Sequence, residues 1–562
     1  MSADIVIHNG ALVTFDPDQP HASALAITGN KIAAVGSDAQ IMALIGPTTK
    51  VIDAQGGTVL PGFIDSHVHL FGGSVELEYL SLYGITGLED MRQAILPYAE
   101  ANPEDKMLFC VMADYGILGT GKTLTRHDLD AILSDRPLAM FAPDHHTVWA
   151  NTAALKAAGL LQGGTVDAGS EIVMGDDGLA SGELLEPGAY SPILSLTRYG
   201  GRDMLGLTAG RDPEPPATPA EREMDKDVIA RGLAHCAAQG ITGLHLMDGN
   251  RYQLELLSEL EAEGRLLCRC LVPFHLKGTD PVARLAREAP ALRADFQGDK
   301  VRCSHVKMFI DGVIESGTAL MLQPYPGEMG KDGNCGDEVF TQEHFVAACV
   351  EADRLGFQIA VHAIGDAAVR RTIDAFEAAQ KANGTRDSRH RIEHIEVIHP
   401  DDIPRLAALG IVASLQPGHA PRGHIFPPTG VGNYIHPQQI KGAYAWQTLR
   451  ETGAKVIFST DWPVIPVDVM ATIKAAIAPL DLGKAWPDQT QSLQDTLASY
   501  TRDNAWAEFA EGSRGRLAEG MDADIAVLTH DLTQCPAEAV TDVKAIAAIM
   551  DGQITFQRGV AG

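Results

Sequence analysis

The chain has 562 residues, of which 45% are hydrophobic and 21% are charged. These fractions are typical of a folded protein with a sizeable core, and they argue against intrinsic disorder. Aspartate and glutamate outnumber lysine and arginine by 73 to 44, which gives a net charge of −29. That balance argues against nucleic acid or an anionic membrane as a partner, because both are bound through basic side chains.

The eight cysteines include no Cys-x-x-Cys pair and are too sparse for a disulfide scaffold. The opening MSADIVIHNG is acidic rather than basic and has no continuous apolar stretch, so no secretory signal is expected. No run of 18 apolar residues appears, so no transmembrane helix is expected. We therefore expect a cytoplasmic protein.

Both ends of the chain are predicted to form short β-strands. Segments rich in valine and isoleucine, separated by Asn-Gly, Gly-Asn and Gly-Gly turns, occupy residues 1–58. The same pattern returns in residues 511–562, with a turn at Asp551-Gly552. The ends are therefore predicted to form one small β-sandwich domain, although two separate β units would give the same pattern.

Between the ends, residues 59–510 alternate short apolar runs with amphipathic helices, such as those predicted at 342–355 and 366–382. Eight near-continuous apolar strands separated by helices are typical of a parallel sheet closed as a (β/α)8 TIM barrel. The runs are VLPGFIDSHVHL, GITGLHLM, LLCRCLVPFHL, VRCSHVKMFI, FQIAVHAIG, RIEHIEV, GIVASLQPG and KVIFSTDW.

The spacing of the runs tests this interpretation, since a barrel of about 250 residues spends about 31 on each βα unit. His362 and His394, on consecutive runs, are 32 residues apart. His69 and Lys307 are 238 residues apart, whereas three units need about 93. We therefore predict a large insertion after the first barrel strand, at about residues 75–225.

The strongest local signal is His67-Val68-His69 at the end of the first barrel run. Residues i and i+2 of a strand point to the same side, so both imidazoles can face one metal ion. Barrel active sites lie at the carboxyl ends of the strands. Four further candidates lie near those ends in later runs, namely Lys307, His362, His394 and Asp461.

A single histidine in a strand is more often a core residue than a ligand. A lysine or an aspartate in an apolar strand is harder to explain, because burying an unpaired charge costs several kcal/mol. Three histidine-bearing strands together with one lysine and one aspartate near one rim therefore predict a metal site.

These motifs resemble those of the metal-dependent amidohydrolase superfamily, and in particular its YtcJ-like branch, which includes N-substituted formamide deformylases. The resemblance covers almost the whole chain. The matching segments, in order, are PGFIDSHVHL, VKMFIDG, VHAIGD, RIEHIE, FSTDWP, TRDNAWAEF and GRLAEGMDADIAVL, with PDHHTVWANTAAL in the insertion.

The resemblance implies two divalent metal ions, expected to be zinc, with manganese, cobalt or iron as alternatives. Lys307, carboxylated at its amine, would bridge the two ions; the alternative is an unmodified lysine that orients substrate over a single ion. The other ligands, from the more buried to the more exposed ion, would be His67, His69 and Asp461, then His362 and His394.

The implied activity is that of an amidohydrolase acting on carbon–nitrogen bonds other than peptide bonds. Hydroxide formed at the metal would attack the carbonyl of a small amide or N-substituted formamide. Asp461 would act as general base and then as general acid toward the leaving amine, or it would serve as a ligand only.

Six further residues are candidates for contacts to substrate or to the ligands. Asp65 would orient a ligand or cap a strand end, and the histidines of the insertion would reach the rim or close a loop. Trp462 would line a pocket or pack in the core. The six are Asp65, Asp144, His145, His146, His305 and Trp462.

Two other functions remain as alternatives. A deaminase or cyclic-amide hydrolase of the same superfamily is one, although deaminases usually place a glutamate three residues after the fifth-strand histidine. Here His362 is followed by Ala363, Ile364, Gly365 and Asp366. A non-catalytic metal-binding scaffold is the other, but such a scaffold would be expected to have lost ligands. A homodimer is the default expectation for the assembly.

Overall fold

The computed structural model describes residues 2–119, 121–143, 145–166, 170–425 and 431–559. The chain divides into two compact units, one of residues 1–68 with 233–562 and one of residues 69–232. Within the described residues, no helix combines the length and the apolar character that a membrane crossing needs.

Seven short strands and one helix come first in the chain. The helix is α1 (Asp38–Met42), and its amino end carries a capping box between Ser37 and Gln40. The strands are β1 (Ile5–His8), β2 (Ala11–Val13), β3 (His21–Ala22), β4 (Ala24–Thr28), β5 (Lys31–Gly36), β6 (Lys50–Asp53) and β7 (Thr58–Pro61).

The next strand, β8 (Phe63–Val68), begins the barrel. The sequence analysis assigned VLPGFIDSHVHL to a single strand, but the structure divides it, with β7 in a terminal sheet and β8 in the barrel. Gly62 lies at the division, where a Cβ atom would come within 2.2 Å of the Thr242 hydroxyl. The close packing of the next barrel strand therefore requires a glycine at this position.

Residues 69–232 form the second unit around a six-stranded sheet in the order β13-β14-β12-β11-β10-β9. Its strands are β9 (Leu80–Ser81), β10 (Leu108–Val111), β11 (Leu138–Phe141), β12 (Thr147–Ala150), β13 (Glu171–Met174) and β14 (Ala180–Leu185). The helices here and immediately after are α2 (Leu70–Glu76), α3 (Leu88–Ala101), α4 (Arg126–Ile132), α5 (Thr152–Ala157), α6 (Pro187–Leu194), α7 (Leu205–Thr208) and α8 (Pro219–Ala237).

This sheet is apolar on both faces. Successive residues of a strand point to opposite faces, so Phe109 packs with Tyr190 in one cluster and Cys110 packs with Met91 in another. The unit follows the first barrel strand and precedes the second, as the predicted insertion requires. The predicted domain boundaries themselves stay predictions.

The barrel sheet runs β8-β15-β16-β17-β18-β19-β20-β21, and every neighbouring pair is parallel. A bridge between Val68 and Trp462 and a 2.9 Å hydrogen bond from the Asp461 amide to the His67 carbonyl link its last strand region to its first. The remaining strands are β15 (Ile241–Leu246), β16 (Arg269–His275), β17 (Val301–Phe309), β18 (Gln358–Ala363), β19 (Arg391–His394), β20 (Val412–Leu415) and β21 (Lys455–Phe458).

Helices accompany these strands, and two coincide with the predicted ones. Thr341 caps the amino end of the first of these two, where its side chain accepts the His344 amide. The helices are α9 (Arg251–Ala262), α10 (Val282–Asp295), α11 (Gln342–Arg354), α12 (Asp366–Asn383), α13 (Ile403–Leu409), α14 (Trp446–Glu451), α15 (Val469–Ile477), α16 (Leu493–Tyr500) and α17 (Arg502–Ala507). Short 3-10 turns lie at Gly327–Gly333, Pro417–His419, Val431–Asn433, Gln439–Gly442 and Ala537–Asp542.

Three strands end the chain, β22 (Ile525–Leu528), β23 (Ala545–Met550) and β24 (Gln553–Gln557). They join the amino-terminal strands in the sheet β24-β23-β22-β7-β2-β3, and the second terminal sheet is β5-β4-β1-β6. Ile7 and Ile27 of one sheet share a buried apolar cluster with Val59 and Ile525 of the other. The TIM barrel and the β-sandwich built from both termini are therefore confirmed.

Candidate metal centre

The carboxyl ends of three barrel strands bring His67, His394 and Asp461 together. Their ligand atoms all lie within 4.8 Å of one another, and all three residues are buried. The Nε2 atom of His67 lies 3.3 Å from Oδ1 of Asp461, and Nδ1 of His394 lies 3.8 Å from Oδ2 of the same carboxylate. Two imidazoles and one carboxylate form a donor set that suits zinc and related divalent ions.

The hydrogen bonds of the two histidines fit a metal ion. Nδ1 of His67 lies 2.7 Å from Oε2 of Glu393, and Nδ1 of His394 lies 2.9 Å from Oε1 of Gln416. When Nδ1–H donates to such an acceptor, the lone pair of Nε2 is left for a metal. Burial lowers the pKa of His67 to about 3 and holds that of His394 well below its usual range, so both rings are neutral, as ligands must be.

Lys307 lies on β17 and is fully buried. Its Nζ atom has no hydrogen-bond partner among the described residues and lies 4.5 Å from the centre of the Phe309 ring. Burial lowers its pKa to about 8, against the attraction of Glu393 and Asp461. An ammonium group in this position lacks the acceptors that buried charges normally have.

His362 lies next to this group on β18, with its ring centre 4.6 Å from that of His394. Its Nε2 atom is 3.1 Å from the Gly312 carbonyl oxygen and 3.7 Å from Oδ1 of Asp311. The structure therefore brings His362 to the same rim, but among the described residues the three-membered metal group consists of His67, His394 and Asp461.

His69 is buried and directly follows the last residue of β8. Its carbonyl oxygen accepts the Gly73 amide at 2.9 Å in the first turn of α2. Its predicted role as a metal ligand stays a prediction.

Asp65 connects the first barrel strand to the segment that carries Asp461. Its two carboxylate oxygens accept the amide of Thr460 at 3.0 Å and the hydroxyl of Thr460 at 2.6 Å. Burial raises the pKa of Asp65 to about 7. Because Thr460 immediately precedes Asp461, these contacts position the carboxylate of the metal group.

The other predicted candidates lie in different surroundings. His305 is buried, with Nδ1 2.7 Å from the Ser304 hydroxyl. The centre of the Trp462 ring lies 5.7 Å from that of His235, and both predicted roles of Trp462, pocket lining and core packing, stay predictions.

The candidate histidines in the second unit each face a glutamate of that unit. His145 Nε2 lies 2.6 Å from Oε1 of Glu76, and His146 Nδ1 lies 2.9 Å from Oε1 of Glu186. Asp144 lies outside the described residues.

Glu393, Gln416 and His419 also belong to the site, although the sequence analysis did not select them. Alternation along a strand predicts that Glu393 points away from the site if His394 points toward it. His394 has a φ of 76°, which breaks that alternation and allows both side chains to face the rim. In the sequence, the available signal for Glu393 was an acidic residue directly before a candidate ligand in an apolar run. Gln416 directly follows the seventh barrel strand, and His419 lies three residues further on.

The parallel barrel, with neutral imidazoles and a carboxylate at the carboxyl ends of its strands, has the architecture of a metal-dependent hydrolase. The profile of the Amidohydrolase family matches residues 50–556. The chain belongs to this family, which confirms the predicted enzyme class, an amidohydrolase acting on carbon–nitrogen bonds other than peptide bonds.

Similar proteins cover nearly the whole chain. YtcJ of Bacillus subtilis (strain 168) is 26% identical over 562 residues, covering 98% of this chain and 99% of that protein. The N-substituted formamide deformylase of Arthrobacter pascens is 24% identical over 574 residues, covering 99% and 98%. An uncharacterized metal-dependent hydrolase from Pyrococcus horikoshii OT3 has the same fold, with a TM-score of 0.71, 24% identity and coverage of 95% and 99%. The predicted placement in the YtcJ-like branch is confirmed.

Proposed function

We propose that the protein hydrolyses the carbon–nitrogen bond of a small amide-like molecule, of the amide or N-substituted formamide type. The observation that carries this proposal is the cluster of two neutral imidazoles and one carboxylate at the barrel rim. The formamide deformylase of Arthrobacter pascens, which matches along almost its full length, supports the choice of substrate.

The proposed site holds two divalent ions, with zinc as the expected metal. When bound, such ions lower the pKa of water to about 7 and polarise a carbonyl group. His67, His394 and Asp461 fit this role by their geometry, and His69 and His362 complete the predicted ligand set.

Lys307 is proposed to bridge the ions as a carbamate. Its buried amine has no acceptor among the described residues, and a carbamate would replace that cation by an anionic oxygen ligand. We expect a carbamate signal in the ¹³C NMR spectrum after zinc loading in ¹³C-bicarbonate, and its absence in Lys307→Met. A zinc-loaded wild-type protein without the signal would favour the unmodified lysine.

Asp461 is proposed to move the proton. Its carboxylate lies within 4 Å of both His67 and His394, and this position beside the candidate metal ligands supports the proposal. It takes a proton from the attacking water as the new carbon–oxygen bond forms. It then delivers this proton to the nitrogen, which leaves with the electron pair of the broken carbon–nitrogen bond.

The test is a panel of N-formyl, N-acyl and cyclic amides, offered to the protein before and after zinc loading. We expect hydrolysis of at least one class, lost on chelation and restored by added zinc. A zinc-loaded protein that hydrolyses no member would support the scaffold alternative. Release of ammonia from amino-substituted rings would instead support the deaminase.

The predictions of a small-molecule substrate, of no nucleic-acid or membrane partner, of a homodimer and of a cytoplasmic location stay predictions. Light scattering of the full-length protein checks the homodimer directly.

A further inference from the structure

Arg391 lies in the interior of the barrel, on β19, two residues before Glu393 and three before the candidate ligand His394. Its side chain is 1% exposed. The N–H groups of a buried guanidinium need acceptors, and those of Arg391 find them on four barrel strands, β8, β15, β19 and β20. Two of these acceptors are directly connected to His67.

The first connection is the carboxylate of Glu393. Nε of Arg391 donates to Oε1 at 2.5 Å and Nη2 donates to Oε2 at 3.0 Å, so the pair is bidentate and the plane of the carboxylate is fixed. Oε2 also lies 2.7 Å from Nδ1 of His67, and this nitrogen donates because an ionised carboxylate only accepts. The fixed carboxylate therefore keeps the proton of His67 on Nδ1 and leaves Nε2 for a metal ion.

The second connection is the backbone of the strand that carries His67. Nη2 of Arg391 donates to the carbonyl oxygen of Ser66 at 2.5 Å. Ser66 immediately precedes His67 on β8. One guanidinium thus holds His67 in two ways, through the peptide group before it and through the acceptor of its imidazole.

Two further acceptors fix the guanidinium itself. Oγ of Ser414 on β20 accepts Nη2 at 2.9 Å, and Nδ1 of His245 on β15 accepts Nη1 at 2.9 Å. All of these residues are buried. The planar group is held on several sides, and a lysine could not reproduce this arrangement because its ammonium is a point charge without the fork of donors.

We propose that Arg391 is a positioning residue of the metal centre, which holds His67 in the tautomer and orientation of a metal ligand through Glu393 and the Ser66 carbonyl. The proposal rests on the metal site of the proposed function and is independent of the identity of the substrate. Because Arg391 acts through other residues, its loss should change the affinity for the metal ion.

The test titrates the zinc-loaded protein with a chromophoric chelator. Arg391→Lys keeps the positive charge but loses the fork, so zinc affinity should fall about 10–100-fold. The matched control is Arg269→Lys, because Arg269 is also 1% exposed and pairs with a carboxylate, that of Asp524, far from the metal group. Both variants should have a lower melting temperature, and only Arg391→Lys should have a lower zinc affinity. This difference separates positioning of the ligand from support of the fold.

A double-variant cycle with Glu393→Gln tests the route through the carboxylate. If Arg391 acts through Glu393, the losses of zinc affinity in the two single variants should not multiply. The double variant should then bind zinc within about threefold of the weaker single variant, a margin that allows for the separate contact with Ser66. Losses that multiply in full would show independent effects and would overturn the proposal.

Ser414→Ala is the second variant should Arg391→Lys fail to fold. It removes one acceptor of the guanidinium, and zinc affinity should fall about threefold, as for one hydrogen bond. Wild-type zinc affinity in a folded Arg391→Lys protein, or in Ser414→Ala where that variant takes its place, would overturn the proposal.

The outcomes distinguish this proposal from the proposed function. Zinc affinity that depends on Arg391, with no hydrolysis of any amide, would refute the proposed function alone. Amide hydrolysis by a zinc-loaded protein whose zinc affinity does not depend on Arg391 would refute the positioning role alone.

Discussion

Carboxylates have different partners at the two ends of the barrel. At the amino ends of the strands, Arg269, 1% exposed, donates to Asp524 at 2.7 Å and also contacts Asp299 and Asp551. At the carboxyl ends, Asp461 lies within 4 Å of three imidazoles, those of His67, His394 and His419.

This difference indicates that the arginine–carboxylate contacts at the amino ends stabilise the fold, whereas the imidazole–carboxylate group at the carboxyl ends suits metal binding. An arginine compensates carboxylates permanently, and the contacts of Arg269 join the barrel to the carboxyl-terminal strands of the sandwich. His67 and His394 are neutral because burial lowers their pKa values, so they provide lone pairs rather than positive charge, and a divalent metal ion fits beside Asp461. The pKa of His419 is instead raised, because hydrogen bonding to Glu396 and the negative charge of Asp461 outweigh the effect of burial. Glu393 makes both kinds of contact, since it pairs with the arginine Arg391 and with the imidazole of His67.

The largest expected effect comes from changing the carboxylate at the carboxyl end. Asp461→Asn should lower kcat about 10³–10⁴-fold, because it removes the proton carrier and weakens a metal ligand. The protein should stay folded, with a melting temperature close to that of the wild type. Steady-state kinetics with the best substrate of the panel checks the loss, and the exposed Asp481→Asn serves as control. Activity within tenfold of the wild type would leave Asp461 without its proposed role.

The sequence predicted the elements that local pattern specifies. Apolar runs such as KVIFSTDW became barrel strands, and Lys307 and Asp461 stood out because charged side chains are rare in such runs. Contacts between residues far apart in the chain were beyond local pattern, and this explains why Gln416 and His419 were missed. It also explains why the sequence leaves Asp65 between two roles, since its partner Thr460 lies 395 residues away in the chain.

The second effect tests the amino end. Arg269→Met should destabilise the protein by about 3–5 kcal/mol, because it leaves the buried carboxylate of Asp524 without its bidentate cation. Chemical denaturation measures this change, and the exposed Arg287→Met should cost less than about 0.5 kcal/mol. We expect kcat to stay within about threefold of the wild type under conditions where the variant is folded. A large loss of kcat in a folded Arg269→Met protein would mean that the two ends are not independent.

The third effect concerns pH and a buried carboxylate directly after α17. Glu508 is buried and faces His245, Arg302 and Arg514. Burial by itself would raise its pKa, but hydrogen bonding to His245 and the positive charges of Arg514 and Arg302 lower it to about 2. A lowered pKa in the folded state stabilises the protein above the unfolded-state value of about 4.5, and that stability is lost as the pH falls toward 2. Its size is about 3 kcal/mol.

Glu508→Gln should therefore lose about 3 kcal/mol at neutral pH and show a flatter decline in stability between pH 4.5 and 2. Denaturation of metal-free protein across this range measures it without interference from metal release. The exposed Glu519→Gln should follow the wild-type curve. Parallel curves for wild type and Glu508→Gln would place the acid sensitivity elsewhere.

The smallest expected effect tests Glu393, which contacts both an arginine and a candidate metal ligand. Glu393→Gln keeps an oxygen near Nδ1 of His67 but removes the negative charge that makes the ring a stronger ligand. Metal affinity, measured by competition with a chromophoric chelator, should fall about 10–100-fold. Glu183→Gln should bind metal as the wild type does. If Glu393→Gln also kept wild-type affinity for the metal, Glu393 would act only through its contact with Arg391 and would not support His67 as a ligand.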